Sequence, residues 1–182
     1  KAPTAKERLE ASEQFEVLLL ECFGSKETFE YPFSNLSKVA KLTPEDGAFR
    51  VFNWNIPLEE GKHAFRMYLL LPNGKFIKFK DTQELRHENQ SRSIESDDWY
   101  GALYYEIHPV KVKRETYYTL IGWDGNDELT TKKVIDVLVF EKKNKVTLGF
   151  PLFENEGNLL HRRLFEYADD VVFNLKWLEP KE

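Results

Sequence analysis

An α+β fold, with N-terminal helices packed on a large antiparallel β-meander, is predicted by three features of this sequence. Nine short, aromatic-rich stretches with period-two alternation follow one another between Phe49 and Trp177. The eight connections between them have no room for parallel crossovers, whereas antiparallel strands need only tight turns. Ahead of Phe49 the apolar residues recur instead at helical spacing. One domain is expected over the 182 residues, with residues 1–45 as a helical prefix and 46–182 as the meander. A meander this long curls, which predicts a strongly bent sheet, a sandwich or a partly open barrel.

The prefix reads as two helices. Over residues 4–23, Leu9, Phe15, Leu18, Leu19 and Cys22 share a face, with Lys6, Glu7, Glu10, Glu13 and Glu16 elsewhere. Gly24 supplies a stop. Tyr31-Pro32-Phe33 breaks the chain, and Ser34 is placed to cap a second short helix with Leu36, Val39 and Ala40 on its apolar side.

The first strand, 49–56, ends at Pro57, and a charged turn leads into 63–71. Pro72-Asn73-Gly74 is the sharpest turn signal, because Asn and Gly accept the positive φ of a tight hairpin. Residues 76–79 form the return strand, and the polar stretch 81–98 reads as a long surface loop, with or without one helical turn. Over 99–107, Trp99, Gly101, Leu103, Tyr105 and Ile107 alternate against Tyr100, Ala102, Tyr104 and Glu106. Aromatics on both sides predict a central strand, paired with 116–123. Residues 134–140 and 145–153 read as a hairpin turning at 141–144, with a helix starting near Asp127 as the alternative for Val134 and Ile135. The final pair, 160–167 and 171–177, turns at Ala168-Asp169-Asp170, with Val171, Phe173, Leu175 and Trp177 on its buried side.

A net charge of -5, with basic residues scattered among acids, disfavours a nucleic-acid partner. No apolar run is long enough for a transmembrane helix. The lone Cys22 cannot form an internal disulfide and reads as a small core residue on the helix. The chain starts at Lys1 and its single methionine is Met67, which fits a processed N-terminus, by signal-peptide removal or by trimming.

Three constellations are candidates for chemistry. Asp124, Asn126 and Glu128 offer oxygen ligands that suit calcium, but glycine and glutamate are missing at the EF-hand positions occupied by Leu129 and Ile135, and turn chemistry explains the same residues. His63, His87, His108 and His161 are too scattered for zinc spacing. His108, across a hairpin from Asp124 or Asp127, is the candidate for acid–base work. Trp99, Tyr100 and Trp123 are candidate ligand-binding aromatics, able to stack on sugar rings or grip a protein partner if they reach one surface. No Gly-x-Ser-x-Gly elbow or phosphate-cradling glycine loop is present, and no cofactor is expected.

The segments 49–55 (Phe-Arg-Val-Phe-Asn-Trp-Asn), 99–105 (Trp-Tyr-Gly-Ala-Leu-Tyr-Tyr) and 117–127 (Tyr-Tyr-Thr-Leu-Ile-Gly-Trp-Asp-Gly-Asn-Asp) together resemble a group of exported proteins from Bacteroidota that has no established activity. The resemblance covers most of the chain and implies a mature, periplasmic or otherwise extracytoplasmic protein. It assigns no site residues. The expected function is a non-catalytic binding or envelope-associated module with a protein or glycan partner. The alternative is a hydrolase using His108 with Asp124 or Asp127.

Overall fold

The computed structural model describes residues 3–141 and 145–178. The prefix contains one α-helix, α1 (Ala5–Phe23), started by a capping box in which the Glu7 amide donates to Thr4 Oγ1 and the Thr4 amide to the Glu7 carboxylate. Its inward stripe is Ala5, Ser12, Glu16, Leu19 and Phe23. This corrects the predicted face: Leu18 is 61% exposed, and Cys22 is exposed rather than in the core. The run Val17-Leu18-Leu19-Leu20 is apolar all round, so its periodicity cannot set the rotation. Glu16 sets it, because the carboxylate reaches the Tyr68 hydroxyl and the Lys78 ammonium, with Arg66 Nε at 3.4 Å. Burial opposes its ionisation, and the Lys78 and Tyr68 hydrogen bonds outweigh burial, so its pKa is lowered.

The predicted second helix does not form. Residues 34–39 are turns leading into β1 (Ala40–Leu42), after a short 3-10 turn at Lys26–Phe29. The buried Arg50 holds this entry by donating from Nη1 to the carbonyls of Phe29 and Tyr31, at 2.7 and 2.6 Å.

β2 (Arg50–Pro57), β3 (His63–Leu70) and β4 (Phe76–Phe79) follow, giving a four-stranded antiparallel sheet in the order β1-β2-β3-β4. Period-two alternation sorts its side chains cleanly. Phe52, Trp54, Ile56, Tyr68 and Leu70 face α1, and Val51, Phe65, Met67, Leu69 and Phe79 face a second sheet.

That second sheet contains β5 (Ile94–Glu95), β6 (Leu103–Val112), β7 (Glu115–Asp124), β8 (Thr130–Phe140) and β9 (Val146–Leu148). β10 (Phe153–Asn155) and β11 (Asn158–Leu160) form a separate hairpin, and β12 (Arg163–Ala168) returns to β8. The order is β5-β9-β8-β7-β6, with β12 on the β9 side of β8. The ladders are antiparallel and neither sheet closes. The layers are helix, sheet, sheet, a sandwich among the predicted outcomes. Buried Asn53 ties the sheets together: its amide donates to Arg66 O at 2.8 Å and its oxygen accepts from the Tyr104 amide at 2.6 Å.

Several segments depart from the sequence reading, among them the strand expected over 145–153, which stops at Leu148 before Gly149 turns the chain at φ +93°. The strand expected from Trp99 starts at Leu103, because Gly101 turns the chain at φ +74°. Within it a bulge at Tyr105 shifts the register, so Tyr104 and Ile107, not alternate residues, both enter the core. Residues 81–98 are not a plain surface loop, since Leu85, Asn89 and Ile94 are buried. Residues 169–178 form no strand: residues 171–178 cross the outer face of the sheet, tied by Tyr105 Oη to Leu175 O at 2.8 Å and by His108 stacked on Trp177 at 4.7 Å. Residues 130–140 are strand, not helix, while the turn at 142–144 lies outside the described residues.

Candidate functional site

A cleft of about 520 Å³ opens at one end of the sandwich, where the β2–β3 turn, the segment after β4 and the β7–β8 turn meet. Its walls carry Lys62, His63, Asp81, Glu84, Asp124 and Asp127, and Phe65 and Tyr100 line its apolar part. The volume is within the range of small-ligand sites.

Asp81 ends the β4 segment and reaches back to β3. Its Oδ2 accepts from the Phe65 amide at 2.7 Å, a ladder group left free because β4 pairs with β3 only from Met67 onward. Oδ1 packs against Gly101, where an added Cβ would lie 2.7 Å from it and 2.6 Å from the Phe65 ring. Only glycine combines this close approach with a positive φ. Asp124, at the end of β7, is 8% exposed, and its Oδ1 accepts from the Asn126 amide at 2.9 Å. Gly125 lets His63 approach so closely that a Cβ there would collide with Nδ1. The His63 ring meets Trp123 edge-on at 5.0 Å.

Buried Asp124 and half-buried Asp81 hold protons more tightly than ordinary aspartates. Burial raises the Asp81 pKa, partly offset by the Phe65 amide and more remotely by Arg66. Burial also raises Asp124; the Asn126 amide and Lys132 offset it, while Asp81 and Glu84 add repulsion. Neither forms an ion pair among the described residues. Burial pushes His63 down, opposed by the Gly61 carbonyl, and its Nδ1 is enclosed without a hydrogen-bond partner. Asp127, by contrast, is lowered by the amides of Leu129 and Thr130. The site can therefore accept hydrogen bonds from a donor-rich ligand and take up or release protons as it does so.

Trp99 and Tyr100 are 0% and 2% exposed, so they are core residues and cannot present a flat platform to a sugar. Trp99 stacks on Tyr104, and the Tyr100 hydroxyl donates to buried Asp136. Trp123 is only partly buried and backs the cleft through His63. His108 does not meet either aspartate. It pairs with Thr119 across β6–β7, five residues from Asp124, which is about 17 Å at about 3.3 Å per residue. Its Nε2 instead lies 3.1 Å from Glu106.

The oxygens proposed for calcium are engaged in a turn. Asn126 Oδ1 accepts from Lys132, its amide donates to Thr130 Oγ1 at 2.6 Å, and Glu128 is exposed. Among the described residues no three His, Cys, Asp or Glu side chains converge to hold a metal ion. Sequence reasoning found Asp124 and Asp127 but missed His63 and Asp81. Their only signal was a polar residue at the start or end of a strand, which is ordinary turn chemistry. Comparison with protein-family models, with curated proteins and with solved structures finds no match for this chain.

Proposed function

We propose that the protein is a binding module whose ligand seat is the acidic cleft, and that the ligand carries a positively charged nitrogen. One observation supports this above the others: Asp81 and Asp124, brought from different sheets, face one cleft and form no close ion pair among the described residues, Arg66 and Lys132 acting on them only at longer range. A protonated amine or guanidinium supplies that charge and donates to the carboxylate oxygens. An extracytoplasmic setting, which the resemblance to exported proteins implies, belongs to the same proposal.

The test is calorimetric titration at neutral pH with butylammonium, methylguanidinium, glucosamine and glucose. Saturable binding of the cationic probes, lost in Asp124→Asn, is the expected result. Binding of glucose as tightly as glucosamine, or no binding of any cation, would overturn the proposal.

A second reading, acid–base hydrolysis, is favoured by the raised proton affinity of two neighbouring carboxyls. It places the chemistry on Asp81 and Asp124 rather than on His108. Turnover of nitrophenyl ester or glycoside probes that disappears in Asp81→Asn and in Asp124→Asn would establish it, and absence of turnover across the panel would remove it.

A further inference from the structure

The second site is a groove on the opposite side of the four-stranded sheet, between α1 and residues 35–39. Its volume is about 490 Å³, and Phe15, Leu36, Val39, Trp54 and Ile56 form its apolar walls. Arg8 and Lys38 stand at its rim, and none of the residues lining it is acidic. In a chain of net charge -5 this is a locally positive, apolar surface.

The floor of the groove is an unfinished sheet edge. β1 pairs with β2 only at Val51, Phe52 and Asn53, whereas β2 continues to Pro57 along β3. The direction of the free backbone groups follows from antiparallel alternation. The Leu58 amide donates to Lys62 O at 2.8 Å, so 58 and 62 are a hydrogen-bonded pair. Ile56 and Ala64 are then the next such pair, and Asn55 and Pro57 turn their backbone groups away from β3. Two contacts agree with this parity. Pro57 O accepts from Arg8 Nε at 2.7 Å on the outer side, and Phe65, opposite Asn55, turns its amide outward to Asp81. The corresponding Asn55 N–H and C=O have no partner among the described residues.

We propose that this groove docks an extended peptide segment of a partner protein, which prolongs the β1 line by pairing with the Asn55 backbone, sets an apolar side chain against Trp54 and Ile56, and places an acidic residue beside Arg8 or Lys38. Backbone pairing gives such a site its affinity, and the pocket and the charges give it selectivity. The occupant is specified as anionic because the rim is purely basic.

The probes are capped, fluorescently labelled hexapeptides of alternating valine and threonine, ending in two glutamates or in two lysines, with an N-methylated version of the first. Anisotropy measures affinity, and amide and indole NMR shifts locate the contact. The glutamate peptide is expected to bind saturably, to move the Asn55 amide and the Trp54 indole signals, and to lose affinity on N-methylation. Lys38→Glu, on an exposed side chain that leaves the fold intact, should weaken it about two- to fivefold. Failure of the glutamate peptide to bind, an unmoved Asn55 amide, or preference for the lysine peptide would each overturn the assignment. Shifts confined to Asp81 and Asp124 would do so as well, by moving the contact to the acidic cleft.

Discussion

Replacing Arg162 by methionine removes the cation at the centre of the second sheet's most buried polar network. Arg162 and Asp136 are both 0% exposed, with Arg162 Nε 3.3 Å from Asp136 Oδ2. The guanidinium also donates to the carbonyls of Asn89, of Arg92 at 2.9 Å and of Leu148 at 3.0 Å. Burial alone would depress its pKa, and Asp136 beside it reverses that, so the guanidinium keeps its charge. Methionine fills much of the volume but leaves Asp136, among the described residues, with only the hydroxyls of Tyr100 and Tyr104 and the Val137 amide as donors.

Breaking one side of a buried pair costs about 3–5 kcal/mol. For a chain of this size each kcal/mol moves Tm by about 2–4 °C, so Arg162→Met should lower it by about 6–20 °C. Because Arg162 is also the post that holds the backbone at Asn89 and Arg92, hydrogen exchange should accelerate across residues 87–95. Differential scanning calorimetry and exchange mass spectrometry read the two effects. A Tm loss below about 2 °C, or unchanged exchange in 87–95, would refute the reasoning that this pair anchors the segment between β4 and β6.

Asp81→Asn and Asp124→Asn should raise thermal stability at neutral pH while abolishing binding of cations. The sign follows from their raised pKa values: the folded state holds protons that the unfolded state releases, so stability falls as pH rises from the ordinary aspartate range through the folded value. Melting curves from pH 3 to 7 should show the Asn variants gaining only above that range; a loss at pH 7 would assign these carboxyls a structural role. Glu16→Gln should act in the opposite sense, costing stability at neutral pH and nothing once pH falls below the folded glutamate pKa, since Lys78 and Tyr68 hold that pKa down against burial; urea titrations at pH 7 and pH 3 would detect an inverted trend. Gly101→Ala should destabilise by about 1–3 kcal/mol, because it adds a Cβ at positive φ against Asp81 and Phe65; a neutral result by chemical denaturation would show that the turn relaxes freely. Trp177→Ala should release residues 171–178 from His108, seen as increased protease cleavage there with little change in Tm, and persistence of protection would refute the stacking as their tether.

Some of this molecule is written in short-range pattern. Helix α1 is legible in the Thr4–Glu7 box and in Gly24, and the β2–β3 and β3–β4 hairpins in alternation interrupted by Gly61 and by Pro72-Asn73-Gly74, because capping and turn chemistry act within four residues. Antiparallel pairing follows for the same reason. The candidate site was half legible: Asp124 and Asp127 advertise a polar turn, whereas Asp81 and His63 carry no local signal of their own. Alternation also made Trp99 and Tyr100 look like surface anchors, since a period of two separates the faces of a strand without saying which is wet.

Local sequence determined an antiparallel, aromatic-rich β protein with a helix in front. Tertiary structure decided that the strands divide into two sheets, that Glu16 faces inward, that the Tyr105 bulge turns Tyr104 and Ile107 to one side, and that Asp81 meets Asp124 across a cleft. Each of these depends on residues far apart in the chain, whose contact free energies are gained only when both partners are already in place, and no local periodicity records that coincidence.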